Sequence, residues 1–127
     1  MKLKVLCLLA LLGSLVAALS AQEGHPLVGT WYGDYGSAGA QRTQITIVLS
    51  WDGKKVTGII NPGPDVINIK VATLDSTKWT VHLEADGKAE HFVGDGKLEN
   101  IGSYNRTISG TWTYGATKGD FKLRRDD

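Results

Sequence analysis

Two imidazoles and a carboxylate form the group with the most chemistry open to it: His82, Glu84 and His91. Such a set can hold zinc with a water in the fourth position. Their spacing makes the idea geometric. A two-residue turn at Asp86-Gly87 would pair residues whose numbers sum to 173, which sets His82 directly opposite His91. Glu84 then lies two residues along on the same face, and directly paired Cβ atoms are about 5 Å apart. Val81, Leu83 and Phe92 take the inward phase, so the trio faces solvent. A solvated cross-strand pair is the alternative to a metal site, and no cofactor is expected.

Aromatic side chains give the second group. Trp31 and Trp112 sit in twin Gly-Thr-Trp segments that begin at Gly29 and Gly110. With Tyr35, Trp79 and Tyr114 they are the candidates to line a ligand cavity. The competing role is structural, a Trp closing one end of a core beside glycines that let backbones approach. Thr107, Ser109, Thr111 and Thr113 form a hydroxyl row that suits an outward strand face or a flat binding face. Asn61 to Asp65, with two prolines, is either a stiff connection or a projecting loop for a protein partner. Asn105-Arg106-Thr107 fits a glycosylation sequon, which matters only in a eukaryotic host.

Catalytic signatures are missing from the sequence. There is no nucleophile elbow and no Gly-rich phosphate loop, and nothing in the pattern brings carboxylates such as Asp34 and Asp120 together. The expectation is a protein that is not an enzyme.

The chain of 127 residues fits one domain after a leader. Met1, Lys2 and Lys4 precede an apolar run, Val5 to Leu19, and Ala18-Leu19-Ser20 offers small residues where a signal peptidase reads. Residues 1–20 are therefore expected to be a signal peptide, cleaved after Ser20 or Ala21. The run is shorter than the roughly 20 residues a spanning helix needs. The expected product is secreted or periplasmic, with no membrane attachment after cleavage. Residues 21–127 are then the domain, 127 − 20 = 107 residues long. The only Cys and the only Met leave with the leader, so the domain enters an oxidising space without a disulfide and must rely on its core. With Lys2 and Lys4 gone, 14 − 2 = 12 basic residues face 13 acidic ones. That balance argues against nucleic acid as a partner. The Lys122, Arg124, Arg125 cluster is answered by Asp126 and Asp127.

The elements that must position these residues are strands. Apolar and polar residues alternate with period two through Ile45, Ile47, Leu49 and Trp51, and again through Val56 and Ile60. The same pattern runs through Ile67, Ile69 and Val71, through Trp79, Val81 and Leu83, through Ile108 and Trp112, and through Phe121 and Leu123. Turns are expected at Asp52-Gly53, Asp75 to Thr77, Asp86-Gly87, Asp95-Gly96 and Gly115 to Gly119, with a short strand near Phe92. Eight or nine short strands in an antiparallel, up-and-down meander predict an all-β fold that closes into a barrel of about eight strands. A sandwich is the alternative.

The first strand, Gly29-Thr30-Trp31-Tyr32-Gly33-Asp34-Tyr35-Gly36-Ser37, resembles the opening strand of the avidins, and its Gly-x-Trp is shared with the lipocalins. Asp52-Gly53 with Val56-Thr57-Gly58 and the Trp79-Thr80-Val81 segment are similar to later avidin strands. The likeness covers roughly half of the domain and implies a calycin-type barrel. It does not imply biotin binding. Gly33 stands where avidins carry a ligand-binding amide, and Leu83 where a Trp would help, although Ser37 and Tyr32 match contact positions. Two roles follow as expectations. One is an exported barrel that binds a small apolar molecule at its open end. The other is a protein-interaction module, such as an inhibitor or an oligomeric subunit.

Overall fold

A computed structural model describes residues 25–37, 41–102 and 105–125. The proposed leader and the Asp126-Asp127 pair lie outside the described residues. Eight strands follow one another: β1 (Gly29–Gly36), β2 (Thr43–Trp51), β3 (Val56–Ile60), β4 (Ile67–Asp75), β5 (Thr80–Asp86), β6 (His91–Glu99), β7 (Thr107–Tyr114) and β8 (Thr117–Arg125). Each pairs antiparallel with the next, and β1 pairs with β8 to close the barrel. No helix occurs among the described residues. Closure leaves no sheet edge to template aggregation, which matters for a domain with no disulfide.

The inward phase supplies the core. Trp31, Ile47, Leu49, Val56, Ile60, Ile69, Val81, Leu83, Ile108, Trp112, Phe121 and Leu123 are buried, as the alternation predicts. Leu27, Ala72, Ala85 and Leu98 join them. Burial of each large side chain contributes roughly 1.5–3 kcal/mol.

Several expectations are corrected. Ile69 pairs with Ala85 and Val71 with Glu84, so Lys70 is the extra residue of a β-bulge. One inserted residue reverses the phase. Val71 therefore pairs on the outer face, while Ala72 and Leu74 turn to the core. Asp95-Gly96 is no turn; it lies within β6, which runs unbroken from His91 to Glu99. Gly96 stands opposite Gly110, and a Cβ on Gly110 would fall 2.0 Å from the Asp95 carbonyl oxygen. The glycine here serves close strand approach rather than a hairpin. The last turn is only Gly115-Ala116, since Tyr114 already pairs with Thr117. Trp51, the last residue of the alternating run from Ile45, ends β2 at 43% exposure and stacks on His25 with ring centroids 5.2 Å apart. Trp79 precedes β5 at φ 57°, half-buried against the core.

The two ends of the barrel differ. At one, the segment before β1 folds inward as a plug. Leu27 is fully buried, and its carbonyl accepts the Trp31 indole N–H at 2.8 Å. The Arg125 guanidinium lies over Trp31, 5.9 Å from the ring centroid, and donates to the Val28 carbonyl at 2.8 Å. Arg106 donates to the Pro26 carbonyl at 3.1 Å and the Ile101 carbonyl at 2.9 Å. His25 closes the turn by accepting the Leu27 amide through Nδ1 at 3.2 Å. Burial holds the His25 pKa below its ordinary 6.5, which suits an imidazole whose ring nitrogen is an acceptor. At the other end, half-buried Tyr35, Ile45, Ile67, Phe92 and Tyr114 form an apolar mouth.

Candidate functional site

The candidate aromatic residues do not gather into one site. Trp31 belongs to the plugged end, and so does Trp79, whose carbonyl accepts the Leu98 amide at 2.8 Å. Tyr35, Trp112 and Tyr114 lie at the mouth. There Trp112 stacks on Phe92 at 6.0 Å and 15° and meets Tyr35 edge-on at 5.7 Å and 85°. The Trp112 indole N–H donates to the Asp120 carbonyl at 2.9 Å, so its polar atom is satisfied within the wall. The Tyr114 hydroxyl accepts the Ala89 and Glu90 amides, both at 3.3 Å, and so holds the loop between β5 and β6. The twin Gly-Thr-Trp segments thus put their indoles at opposite ends. Phe92 completes the mouth cluster. The sequence marks it only as an inward residue of a short strand, because Asp95-Gly96 mimics a turn.

Below the mouth, Tyr35, Ile45, Leu83, Phe92, Phe121 and their neighbours leave a space of about 20 Å³. One water needs roughly 10–15 Å³ by this measure, and small-molecule sites span roughly 300–1,000 Å³. Among the described residues, side chains fill the space beneath the mouth.

A larger space lies on the outer wall. Tyr32, Asp34, Gln44, Thr46, Thr107, Lys122 and Arg124 line a groove of about 530 Å³ over β1, β2, β7 and β8. The register explains the grouping. Tyr32 pairs with Thr46 on one side and Arg124 on the other, and Asp34 with Gln44 and Lys122. Gly33, between them, brings β1 so close to β8 that a Cβ would sit 1.8 Å from the Lys122 carbonyl oxygen. Tyr32 is 44% exposed. At the groove's margin Arg42 donates to Asp34 at 2.8 and 3.0 Å and also bonds Asp120. The two carboxylates that the pattern left apart are thereby tied to one guanidinium.

His82, Glu84 and His91 face solvent, as the phase of β5 and β6 predicts, but the register differs. Asp86 pairs with His91, Glu84 with Val93 and His82 with Asp95, so partners sum to 177. The connection holds four residues, Gly87 to Glu90, closed by the Gly87 amide donating to the Glu90 carbonyl at 2.9 Å. His91 consequently stands opposite Asp86, four residues along from the partner of His82, a strand distance of about 13 Å. The two histidines are therefore no cross-strand pair, and their rings reach the one Glu84 carboxylate from opposite sides. His82 touches Asp95 through Nδ1 at 2.5 Å and Glu84 through Nε2 at 2.8 Å. His91 touches Asp86 through Nδ1 at 2.7 Å and Glu84 through Nε2 at 2.9 Å. Lys70, at the bulge, pairs with Asp86. Among the described residues no group of three or more His, Cys, Asp or Glu is arranged to hold a metal ion. The bonds to Asp95 and Glu84 raise the His82 pKa above 6.5, and those to Asp86 and Glu84 raise that of His91. His91 and His82 lower Glu84, while Lys70 and His91 lower Asp86.

The hydroxyl row of β7 also faces outward. Thr107 lies between Glu99 and Arg124, Ser109 between Lys97 and Lys122, and Thr111 between Asp95 and Asp120. In the loop before β4, Asn61 adopts φ 52° and its side chain accepts the Thr46 amide at 3.0 Å. Asp65 reaches Lys88 of the β5–β6 loop at 3.6 Å. Asn105 is exposed just before β7.

No protein-family model matches this chain, no curated protein matches it in sequence, and no solved structure matches its fold at a significant level.

Proposed function

We propose that this protein is an exported calycin-like barrel that works through its outer wall, as an interaction module for another protein. The observation that carries the reading is the contrast in room: about 20 Å³ inside against about 530 Å³ in the groove over Tyr32. An exposed tyrosine beside arginine and lysine, ringed by hydroxyl and amide groups, has the composition of a protein-binding surface with a polar rim. No catalytic role is assigned to it. A photo-crosslinking residue placed at Tyr32 should capture a partner protein that the same residue at Thr73, on the wall of β4, does not. Equal capture at both positions, or none, would contradict the reading.

One feature favours a second role, a small apolar ligand. The mouth formed by Tyr35, Phe92 and Tyr114 is aromatic, and the plug lies at the opposite end. A ligand there would rest on the mouth and displace Tyr35 or Phe92 to enter. Quenching of Trp112 fluorescence by apolar probes, abolished by Gly94→Leu in the floor, tests this reading. Unchanged fluorescence would remove it.

A further inference from the structure

The outer face of β4, β5 and β6 carries an unbroken row: Asp95, His82, Glu84, His91, Asp86, Lys70. Both imidazoles bond a carboxylate at each ring nitrogen. A neutral imidazole has one N–H and one lone pair, so it can donate to only one of two carboxylates and would turn its lone pair on the other. Only the imidazolium satisfies both contacts. With both rings protonated, charges along the row alternate from negative to positive and sum to zero. With both neutral, three carboxylates face one ammonium and the sum is −2.

We propose that this row is a proton-held clasp joining β5 to β6 and to the β4 bulge, closed when His82 and His91 are both cationic and loosened when they lose their protons. The charged neighbours of the row stand at its two ends. From β4, Thr73 and Val71 pair with His82 and Glu84, and neither titrates. On β7, Thr111 and Thr113 pair with Asp95 and Val93. Lys97 is the next outward residue of β6, and the loop beside His91 carries Lys88, paired with Asp65, and Glu90. The bulge is what recruits Lys70, because the extra residue at that point leaves it beside Asp86. His91 and Asp86 form the last pair of the β5–β6 ladder, so loosening the clasp frees the base of the loop that Tyr114 holds.

Titration of the three histidines by NMR tests the clasp, with His82 and His91 assigned through His82→Gln and His91→Gln. Both should titrate above 6.5 and His25 below it. Either clasp histidine at or below 6.5 would overturn the proposal. Glu84→Gln should lower both values together, since both rings share that carboxylate, whereas Asp95→Asn should lower His82 and leave His91 in place. Independent behaviour in Glu84→Gln would also overturn it, and if that variant does not fold, an Asp95→Asn protein with an unmoved His82 would do the same.

Discussion

Arg125 lies across the face of Trp31, its guanidinium carbon 5.9 Å from the ring centroid, and the pair joins the last strand to the first. The same guanidinium donates to the Val28 carbonyl, and the indole N–H donates to Leu27, so ring, cation and plug are one unit. Trp31→Ala should cost about 3–5 kcal/mol, the range for emptying a large aromatic site in a core. Arg125→Met keeps the apolar stem and should lose about 1.5–3 kcal/mol with its charged hydrogen bonds. Urea unfolding of both variants checks the order. A Trp31→Ala protein as stable as the parent would mean that the plug does not close the barrel.

Two glycines of the wall should respond oppositely to a methyl group. At Gly110 it would press on the Asp95 carbonyl at 2.0 Å, and Gly110→Ala should destabilise by about 1–3 kcal/mol. At Gly94 the nearest atoms, on Phe121 and Phe92, lie 3.7 Å away, in ordinary contact. Gly94→Ala should be neutral or stabilising by up to about 1 kcal/mol, because it restricts the unfolded chain. Thermal unfolding of the pair distinguishes them, and equal losses would contradict the packing.

Strict alternation predicted the barrel and most of its core, because the side-chain period of a strand is two wherever one face is buried. The bulge at Lys70 was invisible, since an inserted residue carries no signal of its own and Val71 is as apolar as its neighbours. Asp95-Gly96 misled because Asp-Gly favours turns, and the need for Gly96 arises from Gly110 on another strand. The outward face of His82 and Glu84 was readable from phase. Their alignment with His91 was not, because the loop is centred between Lys88 and Ala89, two residues beyond the Asp86-Gly87 pair, and that moves the partner sum by four. The groove over Tyr32 had no local mark either; it exists because β8 closes onto β1.

The clasp gives stability a direction with pH. Histidines whose folded pKa is raised contribute fully below the unfolded value of 6.5, and that contribution is lost as pH rises through the folded value. The parent should therefore lose stability relative to a His82→Gln, His91→Gln double variant as pH goes from 5 to about 8. Parallel pH profiles for the two proteins would contradict the coupling.

Tyr114→Phe removes the acceptor for the Ala89 and Glu90 amides without changing the ring. Exchange of those two amides should quicken while the amides of β6 and β7 stay protected. Unchanged exchange would show that the loop is held by other contacts.

Native mass spectrometry of the folded protein, purified gently from its own source, bears most directly on a filled barrel that works through its wall. A filled barrel should show the mass of the chain, a multiple of it, or the chain with a protein partner. A folded species carrying the extra mass of a small organic molecule would contradict it and return the interior of the mouth to the centre of the function.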